Sequence, residues 1–417
     1  MTLVEAIEIA KYSPEKRRLY QRVIIAGLTV ALLFSTAEFS GWTQSVHARK
    51  FIDFDDFHLV ARLLWLGQIR AAYHLPSLSA FQKSLSGLEG FLPWTYPPQF
   101  VLLIAPLAFL PIGLGYLLFT GISLAAYLVI LHRIAGKSFV SILMITFPAL
   151  LITIRCGQNG FLTGTLIGLV CLGFTSRRSV AGVPLGLMII KPHLAVAFAL
   201  FAFINRCWGA VLAAAATVLV STVFVTAIMG FGIWPAFLQG IHEAGIFLSA
   251  GYYPLFRMVS LYAALLSLGL PVWFATAIQL LVACFALAAV VWASRSLAPR
   301  QSLGLTAIAS LLVSPYVYDY DLPIFAIGLA LLHDDIIHFA SARERLAIYG
   351  LIAFSAGFGL AQSFRIGGGE LSPDMPPWAF AGLTLFAACS LILRILLRSI
   401  AQPFAHAFDV SESIATH

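Results

Sequence analysis

The sequence predicts an all-α, polytopic integral membrane protein of about 12 transmembrane helices. Three observations carry that fold class. The 417 residues are 60% hydrophobic and only 10% charged, whereas soluble domains carry roughly 25% charge. Mean hydropathy is +0.93, more apolar surface than one water-soluble core can hide. The Lys and Arg residues gather at the ends of apolar stretches, as the positive-inside bias requires. No alternating pattern of the kind that builds outer-membrane barrels is present. The net charge of +7 therefore reflects membrane topology, and no nucleic-acid partner is expected.

The apolar segments fall near 22–40, 97–132, 138–155, 160–175, 181–191, 193–205, 209–229, 272–293, 303–314, 323–333, 346–363 and 378–398. The first follows a basic start with Lys11, Lys16, Arg17, Arg18 and Arg22 and lacks a small-residue cleavage site, so it reads as an uncleaved span. Segment 97–132 is too long for one straight span. Pro106 and Pro111 can split it into a kinked span plus an interfacial piece, or into two short spans. Several later segments fall short of the roughly 20 residues that cross a bilayer, which points to broken helices around a cavity. Region 230–271 contains Trp234, His242, Tyr252-Tyr253-Pro254 and Arg257. Its apolar piece at 258–269 is too short to span and reads as re-entrant or interfacial.

With the basic N-terminus in the cytoplasm, Arg133/Lys137, Arg177/Arg178, Arg206, Arg295/Arg300, Arg343/Arg345 and Arg394/Arg398 fall on the same side. That requires one net crossing by 97–132 and gives about twelve crossings with both termini inside. The expected organisation is a cytoplasmic N-terminus (1–21), a single membrane domain (22–398) and a cytoplasmic tail (399–417). Within the domain lie a large first external loop (41–98), carrying interfacial helices, and a second external region (230–271). The turn at 157–160, the break at 191–193, the Ser314-Pro315-Tyr316 motif and residues 364–377 also land outside. Two crossings by 97–132 would put the turn, the break and the Ser-Pro motif on the cytoplasmic side.

The candidate chemistry sits in those loops. Asp53, Asp55 and Asp56 open the Asp-Phe-Asp-Asp-Phe-His stretch of the first loop. A carboxylate at a membrane boundary can deprotonate a hydroxyl. With a helix starting near Asp55, that residue would share a face with Arg62, with His58 alongside, and Asp53 would stand free before it. The competing reading is that Asp53 or Asp55 caps the helix. Tyr96-Pro97-Pro98 is a rigid entry into the membrane that aims Trp94 and Tyr96 at the interface. In Arg155-Cys156-Gly157-Gln158-Asn159-Gly160 the glycines make a tight turn, and the amides and arginine need polar partners at membrane depth. Pro192 breaks a helix beside Lys191, which can neutralise a phosphate as a point charge or snorkel to the interface; His193 faces a polar cavity. Asp319 and Asp321 can hold sugar hydroxyls or cap the helix near Pro323. The cysteines, Cys156, Cys171, Cys207, Cys284 and Cys389, form no C-x-x-C pair and read as packing residues. Walker, H-E-x-x-H and G-x-S-x-G motifs are absent, leaving those soluble catalytic classes without support.

In order along residues 20–335, these motifs resemble glycosyltransferase family 87, polyprenyl-phosphate-sugar-dependent transferases with the GT-C fold. The carriers are Asp53-Phe54-x-x-Phe57 with Gly67 and Tyr73, Tyr96-Pro97-Pro98, Gly157-Gln158-x-Gly160, Lys191-Pro192 and Ser314-Pro315. The resemblance implies an inverting transfer of a hexose, mannose foremost, from a polyprenyl-phosphate-linked donor to a lipid or glycan acceptor at the external face of the inner membrane. It puts the general base on Asp53, with Asp55 and Asp56 as fallbacks, the donor phosphate on Lys191, and the sugar or acceptor on Gln158 and Asn159. Arg155, Tyr96, His58, Arg62, His193, Tyr316 and Asp319 complete the donor-binding candidates. No cofactor is expected, because polyprenyl phosphate is itself a good leaving group. Tyr316 departs from the family, where histidine often follows Ser-Pro; that departure keeps a non-catalytic lipid-binding subunit as an alternative. The broken helices leave a transporter or flippase of a lipid-linked sugar as another.

Overall fold

The computed structural model describes residues 4–5, 7–8, 13–42, 51–86, 92–176, 178–365 and 378–401, and these are all-helical. The helix α1 (Pro14–Phe39) begins where the Ser13 hydroxyl accepts the Lys16 N–H. The first loop carries α2 (Asp53–Trp65) and α3 (Leu75–Ser86), and α4 (Pro98–Ile104) follows it. The bundle continues with α5 (Ile112–Ala135), α6 (Phe139–Cys156), α7 (Gly160–Thr175), α8 (Gly182–Leu187), α9 (Pro192–Ile204) and α10 (Trp208–Met229). Then come α11 (Ile233–Ser249), α12 (Leu261–Ser267), α13 (Val272–Ser296), α14 (Pro299–Ser310), α15 (Pro323–Phe339), α16 (Ala342–Arg365) and α17 (Ala381–Ala401).

Six helical segments are long and apolar enough to cross a membrane: Pro14–Phe39, Ile112–Cys156, Trp208–Met229, Val272–Ser296, Ala342–Ser363 and Ala381–Ile400. The second is a hairpin, since Tyr116 near its start donates to the Ile154 carbonyl near its end at 2.6 Å. The turn is made at Gly136, where φ is +53°. Shorter apolar helices, among them Gly160–Thr175 and Pro192–Ile204, pack inside. Every residue from Pro323 to His333 of α15 is buried, as is Ser302–Ser310 of α14. By contrast α10 buries only Ala210, Val225 and Met229. The centre is therefore α6, α7, α14 and α15, and α1, α10 and α13 present exposed apolar side chains at the periphery.

Segment 97–132 splits at Pro111, which caps α5. Residues 98–109 form α4 plus a 3-10 stretch; at about 1.5 Å per residue this piece is well short of a bilayer's hydrocarbon core. It leaves and rejoins α2 on the same side: Tyr96 packs on Phe57, Trp65 donates to the Ala105 carbonyl, and His58 Nε2 meets the Leu110 carbonyl. Two expectations change. The helix α2 starts at Asp53, not near Asp55, and Trp94, only 2% exposed, lies in the core instead of at the interface. Residues 258–269 hold the single short helix α12, and Met258 bridges antiparallel to Tyr318 with Val259 N–H on the Val317 carbonyl. Residues 366–377 and 402–417, parts of the expected last external loop and tail, lie outside the described residues, and α17 runs to Ala401.

Two ends of the bundle differ in chemistry. At one, Glu8 meets Arg345, Glu344 meets Arg398, and Arg300 donates to carbonyls of α15. At the other, Phe39 stacks on Tyr116 beside Phe54, and the ends of α6 and α16 meet the starts of α7 and α15.

Gly157 terminates α6 in the left-handed region at φ +65°, and a Cβ there would lie 2.6 Å from Phe54 Cβ. Gly67, which ends α2 at φ +71° with the hydrogen bonds of a left-handed helix end, has open space around its Cβ position. Gly67→Ala is therefore expected to cost the backbone strain alone, about 1 kcal/mol. Gly157→Ala should cost roughly 1–3 kcal/mol more through overpacking. Thermal midpoints of the two variants in the same detergent check the difference; equal loss would show that the Phe54 contact is slack.

Candidate functional site

Helix breaks bring distant polar residues to the second end. Gly157 ends α6 and Gly160 begins α7, and at Gly160 a Cβ would collide with the Tyr320 carbonyl oxygen. That glycine lets the 157–160 turn lie directly against the 319–321 turn. Lys191 precedes Pro192, whose fixed φ and missing N–H suit the first position of α9. The antiparallel bridge at Met258 and Tyr318 sets Arg257 beside Asp319.

Arg257 is the hub. Its Nη2 lies 2.9 Å from Asp319 Oδ1 and its Nε 3.3 Å from Oδ2, a two-pronged contact on one carboxylate. The same Nη2 donates to Cys156 Sγ at 3.1 Å, and Nη1 is 3.6 Å from Asp53 Oδ2. Burial alone favours a neutral guanidine, but Asp319, Cys156 and Asp53 outweigh it and hold Arg257 firmly protonated. Burial likewise pushes the Asp319 carboxyl above its usual value, with Arg257 opposing the rise.

Asp53 is held from its other side. Gln158 Nε2 donates to Asp53 Oδ1 at 3.0 Å, while Gln158 Oε1 accepts from the Tyr96 hydroxyl at 2.8 Å and the Asn159 N–H at 3.0 Å. Tyr73 in turn donates to the Tyr96 carbonyl. A second limb pairs Lys191 Nζ with Asp321 Oδ1 at 2.7 Å, and Asp321 Oδ2 accepts the Tyr318 N–H. The Tyr320 ring joins the limbs, with Lys191 Nζ 4.7 Å and Arg257 5.3 Å from its centroid, within cation–π range. Asp319 and Asp321 side chains are 1% exposed and Lys191 7%, whereas Asp53 and Arg257 are 15% and 14% exposed. The mouth of the cluster is therefore Asp53 and Arg257. Near it, both amide atoms of Asn159 and the Nε2 of His193 are buried without hydrogen-bond partners, an arrangement that suits a polar ligand.

Of the sequence candidates, Asp53, Tyr96, Gln158, Lys191 and Asp319 come together, with Asn159 and His193 adjoining in sequence. Six do not join the hydrogen-bonded cluster. Asp55 Oδ2 accepts the Ile52 N–H at 2.9 Å and serves the start of α2. Asp56 is buried on Gln82 at 2.9 Å. His58 is turned to the Leu110 carbonyl, and burial lowers its basicity. Arg62 and Arg155 are exposed. Tyr316 packs edge-on against Tyr253, in a small satellite core. Arg257, Tyr320 and Cys156 are site residues that the sequence reading did not assign, Cys156 is more than packing, and Asp321, read there as a sugar or capping residue, pairs with Lys191. Their signal was the polar island at 252–257 and the paired acids at 319 and 321. Among the described residues no group of three metal-ligating side chains could hold a metal ion.

The family model of glycosyltransferase family 87 matches residues 94–315, more than half of the chain. Searches of curated proteins and of solved structures gave no match.

Asp56 titrates in a way that can be measured. Burial, reinforced by Asp53 and Asp55 and opposed by the Gln82 bond, raises its pKa from 3.8 to about 8. The folded protein thus retains a proton that the unfolded chain releases. This contribution to stability is complete at pH below about 4 and is lost as pH rises toward about 8. Asp56→Asn keeps an oxygen for Gln82 and cannot ionise. Its thermal midpoint should lose the part of the wild-type decline between pH 5 and 8 that Asp56 causes; an unchanged slope would remove Asp56 as the titrating group.

Proposed function

This chain belongs to glycosyltransferase family 87, a membrane glycosyltransferase, and we propose that it moves a hexose, mannose foremost, from a polyprenyl-phosphate donor to a lipid or glycan acceptor. Asp53 is the general base. It takes the proton of the acceptor hydroxyl, whose oxygen attacks the anomeric carbon. The bond from that carbon to the phosphate oxygen breaks, the electron pair leaves with polyprenyl phosphate, and the anomeric configuration inverts. The observation that carries this reading is the placement of Asp53: a carboxylate gripped by Gln158 and Arg257 at the open mouth of an otherwise sealed charge cluster.

Lys191 meets the donor phosphate while sharing its charge with Asp321, and Asn159 and His193 supply unpartnered polar atoms to the sugar. Tyr96 acts through Gln158 as a positioning residue. The cluster faces the external side in a GT-C arrangement of about twelve crossings, both termini cytoplasmic. Supporting this orientation, the paired and unpaired arginines of the helix termini gather at the end remote from Asp53. Asp56 is a poor base: a pKa of about 8 keeps it mostly protonated at neutral pH, and it is sealed on Gln82.

The test is release of polyprenyl phosphate from labelled polyprenyl-phosphate-mannose by purified protein in nanodiscs, with a crude lipid and glycan acceptor extract. Asp53→Asn should lower the rate by roughly 10²–10⁴-fold, whereas Asp56→Asn should stay within about tenfold of wild type. Full activity in Asp53→Asn would overturn the base assignment. Movement of intact labelled donor across sealed vesicles without release would replace the transferase by a carrier.

A further inference from the structure

At the end of the bundle remote from Asp53, three arginines are held within the protein. Arg345 pairs with Glu8, Arg398 with Glu344, and Arg300 donates to the Leu331 and Ala330 carbonyls. One group there is not. A cleft of about 300 Å³ is lined by Arg17, Gln21, His132, Lys137, Phe139 and Val140, with Gly136 at its floor. A second, of about 420 Å³, is lined by Arg18, Gln21, Arg22, Ile25 and Ala26. Gln21 belongs to both, so the two form one trough between the start of α1 and the α5–α6 hairpin turn.

Among the described residues no carboxylate lines either cleft and no ion pair engages Arg17, Arg18, Arg22 or Lys137. Four permanent cations in a concave surface repel one another, and an anion relieves that repulsion. The surroundings specify its kind. Arg18, Arg22 and Ile25 follow one face of α1 at helical spacing. Along that face Ile25 and Leu33 are 37% and 56% exposed. A polar head in the trough therefore has an apolar track for its chains on the same helix. We propose that this trough binds the headgroup of an anionic phospholipid, its phosphate between the α1 arginines and Lys137 and its acyl chains along α1. The positive-inside bias places basic residues on this side; it does not by itself gather four of them into adjoining clefts that share Gln21. Basic clefts between membrane helices are known to hold such headgroups.

The experiment uses the full chain, purified in a neutral detergent, with its thermal midpoint followed on adding phosphatidylglycerol, phosphatidylcholine or inorganic phosphate. Phosphatidylglycerol should raise the midpoint by roughly 2–4 °C, and the other two should not. In Arg18→Gln/Lys137→Gln the rise should disappear while the lipid-free midpoint stays at the wild-type value. If that variant is unstable, Arg22→Gln alone should reduce the rise. Arg295→Gln, an exposed arginine outside the trough, should keep it in full. An equal rise with phosphatidylcholine, or one retained when the trough cations are removed, would overturn the site. An equal rise with inorganic phosphate would make it a free-anion site and overturn the lipid assignment.

Discussion

The arrangement of the site depends on the buried guanidinium of Arg257. Taking such a charge out of water costs several kcal/mol unless partners surround it. Here they come from three other parts of the chain: Asp319 before α15, Cys156 at the end of α6 and Asp53 at the start of α2. The backbone pairing of Val259 with Val317 fixes the arm that carries it. One side chain thereby locks the ends of several helices into one geometry. Its planar fork lies two-pronged on Asp319, which a lysine cannot reproduce.

Such a cluster is possible only because helices stop there. Backbone that departs from helix within lipid needs internal partners, and every break near the site has one. Gly157 makes the left-handed turn that ends α6, Gly160 admits the Tyr320 carbonyl, and Pro192 starts α9 without an N–H to satisfy. The central helices α14 and α15 can be short because their surroundings are protein, not lipid.

Fold class was legible because composition and run length respond directly to the bilayer. The convergence of Asp53, Gln158, Lys191 and Asp319 was legible for a related reason: polar residues stranded between apolar runs are costly unless they meet. Which polar residues would meet was less legible. Asp53, Asp55 and Asp56 are indistinguishable by type, and their fates diverge because a helix turns each by about 100°. One faces the cluster, one its own helix start and one Gln82. Arg257 stands on a loop without periodicity, and its partner lies across an irregular antiparallel bridge that no spacing rule encodes. Trp94 and Tyr96 look like interfacial aromatics in sequence; the return of residues 98–109 onto α2 buries them instead.

The charge count of the cluster separates its carboxylates by role. Asp53, Asp319 and Asp321 face only Arg257 and Lys191, so three negative charges meet two positive ones. Asp321 has Lys191 at 2.7 Å and Asp319 has Arg257 at 2.9 Å, and both acids are sealed. Asp53 is the least tightly paired of the three: its nearest guanidinium nitrogen, Nη1, is 3.6 Å away, while Nε and Nη2 of the same group hold Asp319. A carboxylate that is half-paired, oriented by an amide and open at its outer edge keeps a lone pair for an incoming proton. The Gln158 contact holds one oxygen of Asp53, and the 3.6 Å spacing to Arg257 leaves the other loosely held, which is the geometry the proposed base needs.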